Sequence, residues 1–320
     1  MRLGVFLALF GNQSLQTALD YVVKVGLDTV EVGTGNYPGS PHCDPFDLLR
    51  STAKQKAFLD EFRKRGIQIS ALSCHGNPLH PDKKFAAQHA RVHKATIELA
   101  AVLGIGRINT FSGCPGGSPK DSMPNWVTCP WPDDFYKVLA YQWNDVAIPY
   151  WKEEAAFAAK HKVVIGLEMH PGFIVYNPET LLKLRKACGK AIGANFDPSH
   201  LWWQGMDPLA ALRELEGAVF HVHAKDVNIN SQNTEKNGVL DTKHYGLIGQ
   251  RSWVFRTVGY GHDALFWKDF VSTLRTIGYD GTISIEHEDG LMSVNEGLTK
   301  AVEFLKGLVL TEPQGAMWWA

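Results

Sequence analysis

Ala191-Ile192-Gly193-Ala194-Asn195-Phe196-Asp197-Pro198-Ser199-His200 is the stretch that decides the fold. Its first six residues form an apolar run of strand length. The run then delivers a carboxylate and an imidazole, which are costly at the mouth of a buried strand unless each finds a partner. Three other places follow the same plan. Val163-Val164-Ile165-Gly166-Leu167 leads into Glu168, Ala218-Val219-Phe220 into His221-Val222-His223, and Thr282-Ile283-Ser284-Ile285 into Glu286. Four strands that each end in a metal-ligating residue type predict one shared site.

Working outward, Leu3 to Leu9, Thr29 to Val32, Ile67 to Cys74 and Arg107 to Phe111 read as four earlier strands. Amphipathic stretches separate all eight. Their starts carry helix signals at Ser14, Ser51, Asn177-Pro178, Asp207-Pro208 and Ser293-x-x-Glu296, with Pro81 placed in the first turn of a long helix. Their ends carry Gly26, Gly66, Gly104, Gly189, Gly217, Gly278 and Gly307. A helical stretch over 133–160 should bend or break at Pro149. Eight strands alternating with eight helices imply parallel strands and helical crossovers, and that number closes a (β/α)8 TIM barrel. A doubly wound open sheet would need a Gly-rich phosphate turn, and no GxGxxG occurs. The sequence therefore predicts a single α/β domain over 1–320, with 307–320 as a tail and long loops after strands four and seven.

The chain has 320 residues, 45% of them hydrophobic, and a formal net charge of -1. A globular domain is expected, without the basic footprint of a nucleic-acid or anionic-membrane partner. The five cysteines are odd in number and scattered, which fits reduced thiols and a cytoplasmic location. Arg2 and the run Leu3 to Phe10 imitate a short signal peptide, but Gly11-Asn12-Gln13 offers no small-x-small cleavage site. No apolar run has the length needed to span a bilayer. The aromatic end Met317-Trp318-Trp319 points to packing or an interface, so a homo-oligomer is a further expectation.

Side chains alternate along a strand, so His221, His223 and Lys225 share a face, as do Glu168 and His170, and Ser284, Glu286 and Glu288. All lie at the strand C-termini, the face where barrels of this kind do chemistry. Three carboxylates and an imidazole suit a divalent ion, Mn²⁺ or Mg²⁺ first and Co²⁺ or Zn²⁺ after them. The set is too oxygen-rich for a structural zinc site. His221, deeper in its strand, is expected to be a satisfied core histidine, and Glu31 at the end of strand two a structural acid. Trp126 and Trp131 fall in the long loop over the site face.

In order on strands five to eight, LEMHPG (167–172), NFDPSH (195–200), HVHAKD (221–226) and SIEHED (284–289) resemble the sugar phosphate isomerase/epimerase family, the xylose-isomerase-like TIM barrels. GYGHDALFWKDFVSTLRTIGYDG (259–281) resembles that family as well. In its ketose 3-epimerase branch, the resemblance implies metal ligands at Glu168, Asp197, His223 and Glu286. Glu168 and Glu286 would double as the acid/base pair, and His200 would contact substrate oxygens. His75, His170, Lys225, Trp126 and Arg256 complete the expected substrate contacts. The branch also carries a substrate-binding arginine soon after the metal histidine. Here Ala224-Lys225-Asp226 follows His223, leaving only Arg251 and Arg256 as candidates.

The implied activity is metal-dependent isomerisation or epimerisation, by proton abstraction next to the carbonyl of an unphosphorylated ketose or keto-sugar through an enediolate. The acidic His287-Glu288-Asp289-Gly290 would repel a phosphate. A lyase acting on 3-keto-glycosides would use the same site. An AP-endonuclease-like nuclease needs further histidines, which strand four (Thr110-Phe111-Ser112) and the loop after strand seven do not offer. A non-catalytic barrel should have lost a ligand, and all four are present.

Overall fold

The computed structural model describes residues 1–319. Seven strands come in succession: β1 (Arg2–Phe6), β2 (Thr29–Gly33), β3 (Gln68–Ser73), β4 (Arg107–Phe111), β5 (Val164–Glu168), β6 (Ile192–Phe196) and β7 (Val219–Ala224). Next come β8 (Asp226–Ile229) and β9 (Trp253–Arg256), which pair only with each other, and then β10 (Thr282–Ile285). The eight remaining strands close a parallel barrel in the order β1-β10-β7-β6-β5-β4-β3-β2. This is the TIM barrel that the strand–helix alternation predicts. Among the described residues, no helix is long and apolar enough to cross a membrane.

The helix ends follow local chemistry. Ser14, Ser51, Asn177, Asp207 and Ser293 each accept a backbone N–H of the first turn. Gly26, Gly66, Gly104, Gly189, Gly217 and Gly278 stand at φ between 68 and 103, where a side chain would be strained. Gly307 departs from them and stays right-handed at φ -78.

Three expectations are corrected. The first strand stops at Phe6, and Leu7–Phe10 forms a 3₁₀ turn whose buried Leu7 and Phe10 continue the apolar run without continuing the strand. Pro81 precedes the long helix Lys83–Leu103, which Asp82 caps. Pro149 does not break its helix. Asp133–Tyr141 passes through a π-helical stretch, Gln142–Ala147, into Ile148–Lys160. The wider turn accommodates a ring that would otherwise collide with the carbonyl four residues back.

The segment after β7 is folded rather than irregular. The antiparallel pair β8–β9 encloses the short helix Ser231–Asn237. Asp226 anchors the excursion at its base. Its Oδ2 accepts the N–H groups of Gly259, Gly261 and His262 at 3.0–3.1 Å. Its Oδ1 meets His262 Nδ1 at 2.7 Å.

Candidate metal centre and active site

The barrel register brings the predicted strand ends together. Glu168 ends β5, Asp197 follows β6, His223 lies near the end of β7, and Glu286 follows β10 with its N–H on Ala224 O at 3.2 Å. One ligand atom from each of these four lies within 4.8 Å of all the others. His223 Nδ1 stands 3.3 Å from Glu168 Oε2 and 3.4 Å from Glu286 Oε2. Asp197 is turned by its own chain, since Oδ1 accepts the Ser199 N–H at 2.8 Å. Its other oxygen, Oδ2, is buried and accepts no hydrogen bond, although Lys225 Nζ stands 3.1 Å away and His200 Nε2 3.4 Å away.

Partners around the four fix their orientation. Glu168 meets His200 Nε2 through Oε1 at 3.1 Å and His75 Nε2 through Oε2 at 3.1 Å, and Oε2 also accepts from Asn195 Nδ2 at 3.1 Å. Burial opposes charge on Glu168, but hydrogen bonds from His200 and His223 outweigh it and hold the carboxyl well below its usual range. Burial likewise opposes charge on Glu286, while Lys225 and His223 bring it down to about 2. Asp197 goes the other way. Burial lifts it to about 6 because the Lys225 charge offsets only part of that cost and Glu168 and Glu286 add to it. Burial pushes His200 down to about 4, with Lys225 adding to the effect.

The donor set fits a divalent cation. Three carboxylates and one imidazole converge, and Glu288 and Glu31 stand close by. Lys225, 2.7 Å from Glu286 and 3.1 Å from Glu288, is the one lysine among them. A dication at the four ligands would relieve that anionic excess, and the oxygen-rich set suits hard or borderline metals.

His75, His200 and Lys225 are therefore in place beside the ligand atoms. His170 sits one layer out, 4.0 Å from the His200 ring, with Nδ1 on Pro171 O at 2.6 Å. Burial pushes it down to about 3.

Two expected substrate contacts are not brought to this cluster. Trp126 lines a separate cleft of about 340 Å³ with Trp143, Tyr176 and Lys183. The loop after β4 is drawn there because the Gln142 amide binds the carbonyls of Pro115, Gly116 and Asn125. Arg256 stays beside the site, its Nε on Asp289 Oδ2 at 3.0 Å, and does not reach the ligand group. Arg251 serves the excursion itself, bonding the carbonyls of Trp253 and Lys243. Trp131 is 76% exposed on the surface.

His221 is satisfied in the core, with Nδ1 on Asn195 Oδ1 at 3.0 Å and Nε2 on Ser70 Oγ at 3.1 Å. Sequence reasoning missed Asn195, Phe111 and Phe255. Phe111 packs 4.6 Å from His75, while Phe255 stands 5.3 Å from His200 with Lys225 Nζ 4.6 Å over its ring. Asn195 and Phe111 carried a usable signal as strand-end positions. Phe255 carried none, because only the β8–β9 pairing aims it at the site.

The chain matches the family described as xylose isomerase-like TIM barrel over residues 19–308. The uncharacterized protein YfiH of Bacillus subtilis (strain 168) is 41% identical over 313 residues, 96% of this chain and 98% of its own. Among solved structures, the IOLI protein with a binding zinc atom has a TM-score of 0.66 at 18% identity, covering 97% of this chain and 98% of that one. D-psicose 3-epimerase in the presence of D-fructose has a TM-score of 0.63 at 14% identity, covering 97% and 99%. At these identities the structures share the fold.

Proposed function

The chain belongs to the xylose isomerase-like TIM barrel family, and from that premise we propose that it is a divalent-metal-dependent isomerase or epimerase of an unphosphorylated ketose or keto-sugar. The observation that carries this reading is the convergence of Glu168, Asp197, His223 and Glu286 within 4.8 Å, three carboxylates and an imidazole with the Lys225 ammonium 3.1 Å from Asp197 Oδ2. These four would hold the ion, with Mn²⁺ first in order and Mg²⁺, Co²⁺ or Zn²⁺ after it. When bound, the ion supplies Lewis acidity that polarises a carbonyl and its neighbouring hydroxyl and stabilises the charge developing there. The epimerase and the zinc-bound protein of like fold support both substrate class and metal.

The chain's own residues do the rest. Glu286, at 17% exposure the most open of the four, takes the proton from the carbon next to the carbonyl. Lys225 keeps it ionised for that role. Glu168, braced by His200, His75 and Asn195, delivers to the other face a proton it has taken up from water, and the proton held by Glu286 is released to water in turn. His200 orients substrate hydroxyls. Phe6, Phe111 and Phe255 wall the cluster and limit water around the carbanion-like species. Glu288, half-exposed beside Lys225, disfavours a phosphate ester. The free cysteines suit a cytoplasmic setting, and the exposed Met317, Trp318 and Trp319 suit self-association.

Incubation of ketoses and keto-glycosides in D₂O with metal-loaded protein tests the reaction. Deuterium should enter at the carbon next to the carbonyl, and Glu286→Gln should abolish the label. Recovery of an epimer or isomer fits the proposal, whereas an eliminated fragment would replace it with the lyase. Absence of exchange across both substrate classes would overturn it.

A further inference from the structure

Glu31 lies in β2, on the far side of His223 from the other carboxylates, and is fully buried. Every oxygen it has is engaged. Oε1 accepts from Asn109 Nδ2 at 2.9 Å and from the Ser73 hydroxyl. Oε2 meets His223 Nε2 at 2.8 Å. The two nitrogens of His223 thus face different groups, Nε2 toward Glu31 and Nδ1 toward Glu168 and Glu286 at 3.3 and 3.4 Å. Glu31 could itself be taken for a ligand, because it also groups with His221 and His223. The bonds argue against that. His221 is already satisfied by Asn195 and Ser70, and both Glu31 oxygens have partners.

We infer that Glu31 is a positioning residue of the metal centre: by accepting the Nε2–H of His223 it fixes the ring's tautomer and leaves the Nδ1 lone pair to the cation. A carboxylate behind a ligating imidazole also raises its basicity, and removing such a partner characteristically lowers metal affinity about 10- to 100-fold. Asn109 and Ser73, from β4 and β3, fix Glu31 in turn, so the orientation of a β7 ligand is set from three strands across the barrel. The inference rests on the metal-site reading of the previous subsection.

The test measures metal binding, not turnover. Chelator-treated wild type, Glu31→Gln and Glu31→Asp are titrated with Zn²⁺ and Co²⁺. Thermal melts of the metal-free proteins establish that each variant folds. Glu31→Gln should bind about 10- to 100-fold more weakly with an altered Co²⁺ visible spectrum, and Glu31→Asp should recover part of the loss. Equal affinity in wild type and a folded Glu31→Gln would overturn the role of Glu31 while leaving the metal site standing. A wild type that binds no ion would overturn the metal site itself. Should Glu31→Gln fail to fold, the His223 ring of zinc-loaded wild type decides by ¹H–¹⁵N correlation. A protonated Nε2 with metal-bound Nδ1 supports the inference, and the opposite arrangement overturns it.

Discussion

Asp197 and Glu286 share one cluster yet titrate apart. Burial lifts Asp197 to about 6, while Lys225 and His223 overcome the burial of Glu286 and bring it to about 2. A proton on Asp197 blocks a ligating oxygen. Metal uptake by the metal-free chain should therefore weaken as pH drops through about 6, the Asp197 proton adding about tenfold per unit to the competition from His223, whose charge burial opposes but which Glu31 and Glu286 hold protonated well above the usual imidazole range. Glu286 remains ionised throughout this window. Calorimetric titrations between pH 5 and 7.5 check the slope, and a flat affinity would contradict it. Period-two alternation put His221 and His223 on one face, and His221, the deeper of the two, is satisfied in the core as its depth implied. The same alternation offered Glu31 beside Val30 and Val32, but its meaning lies in contacts from β3, β4 and β7 that no local pattern encodes.

At the scale of elements, helix starts were legible because a cap is a contact between residues two or three apart. Ser14, Ser51, Asn177 and Ser293 all act as read. The β8–β9 pair was not legible, because its two four-residue strands lie far apart in sequence and pair only once the excursion has folded. Trp126 was misplaced for a related reason, since the side-chain amide of Gln142, on a different element, decides where its loop goes. Asp226 holds the excursion shut through three backbone N–H groups and His262. Asp226→Ala leaves those buried donors unmet and should cost about 3 kcal/mol. Urea unfolding measures that loss, and limited proteolysis should show new cleavage within 226–262. Unchanged stability and an intact excursion would contradict the anchoring role. Because Phe255 on β9 packs against His200, the same variant should also weaken substrate binding.

Across the whole molecule, the barrel was legible because its unit repeats eight times and each repeat carries its own punctuation, so a misplaced boundary such as the end of β1 leaves the total unaffected. The convergence of four strand ends follows from closure, since a closed parallel barrel opens all its strand C-termini on one side. The aromatic enclosure of the cluster was less legible. Its walls come from Phe6, Phe111 and Phe255 on three separate strands, and the excursion bearing Phe255 has no counterpart in the repeat. The division of labour at the site is tested most directly by counting ions on wild type, Asp197→Ala and His200→Ala after chelation and reloading with Mn²⁺. One ion per chain in wild type, none in Asp197→Ala and about one in a turnover-deficient His200→Ala is the expected result. A wild type without a bound ion, or an Asp197→Ala variant that still binds one, would contradict a single centre built from the ends of β5, β6, β7 and β10.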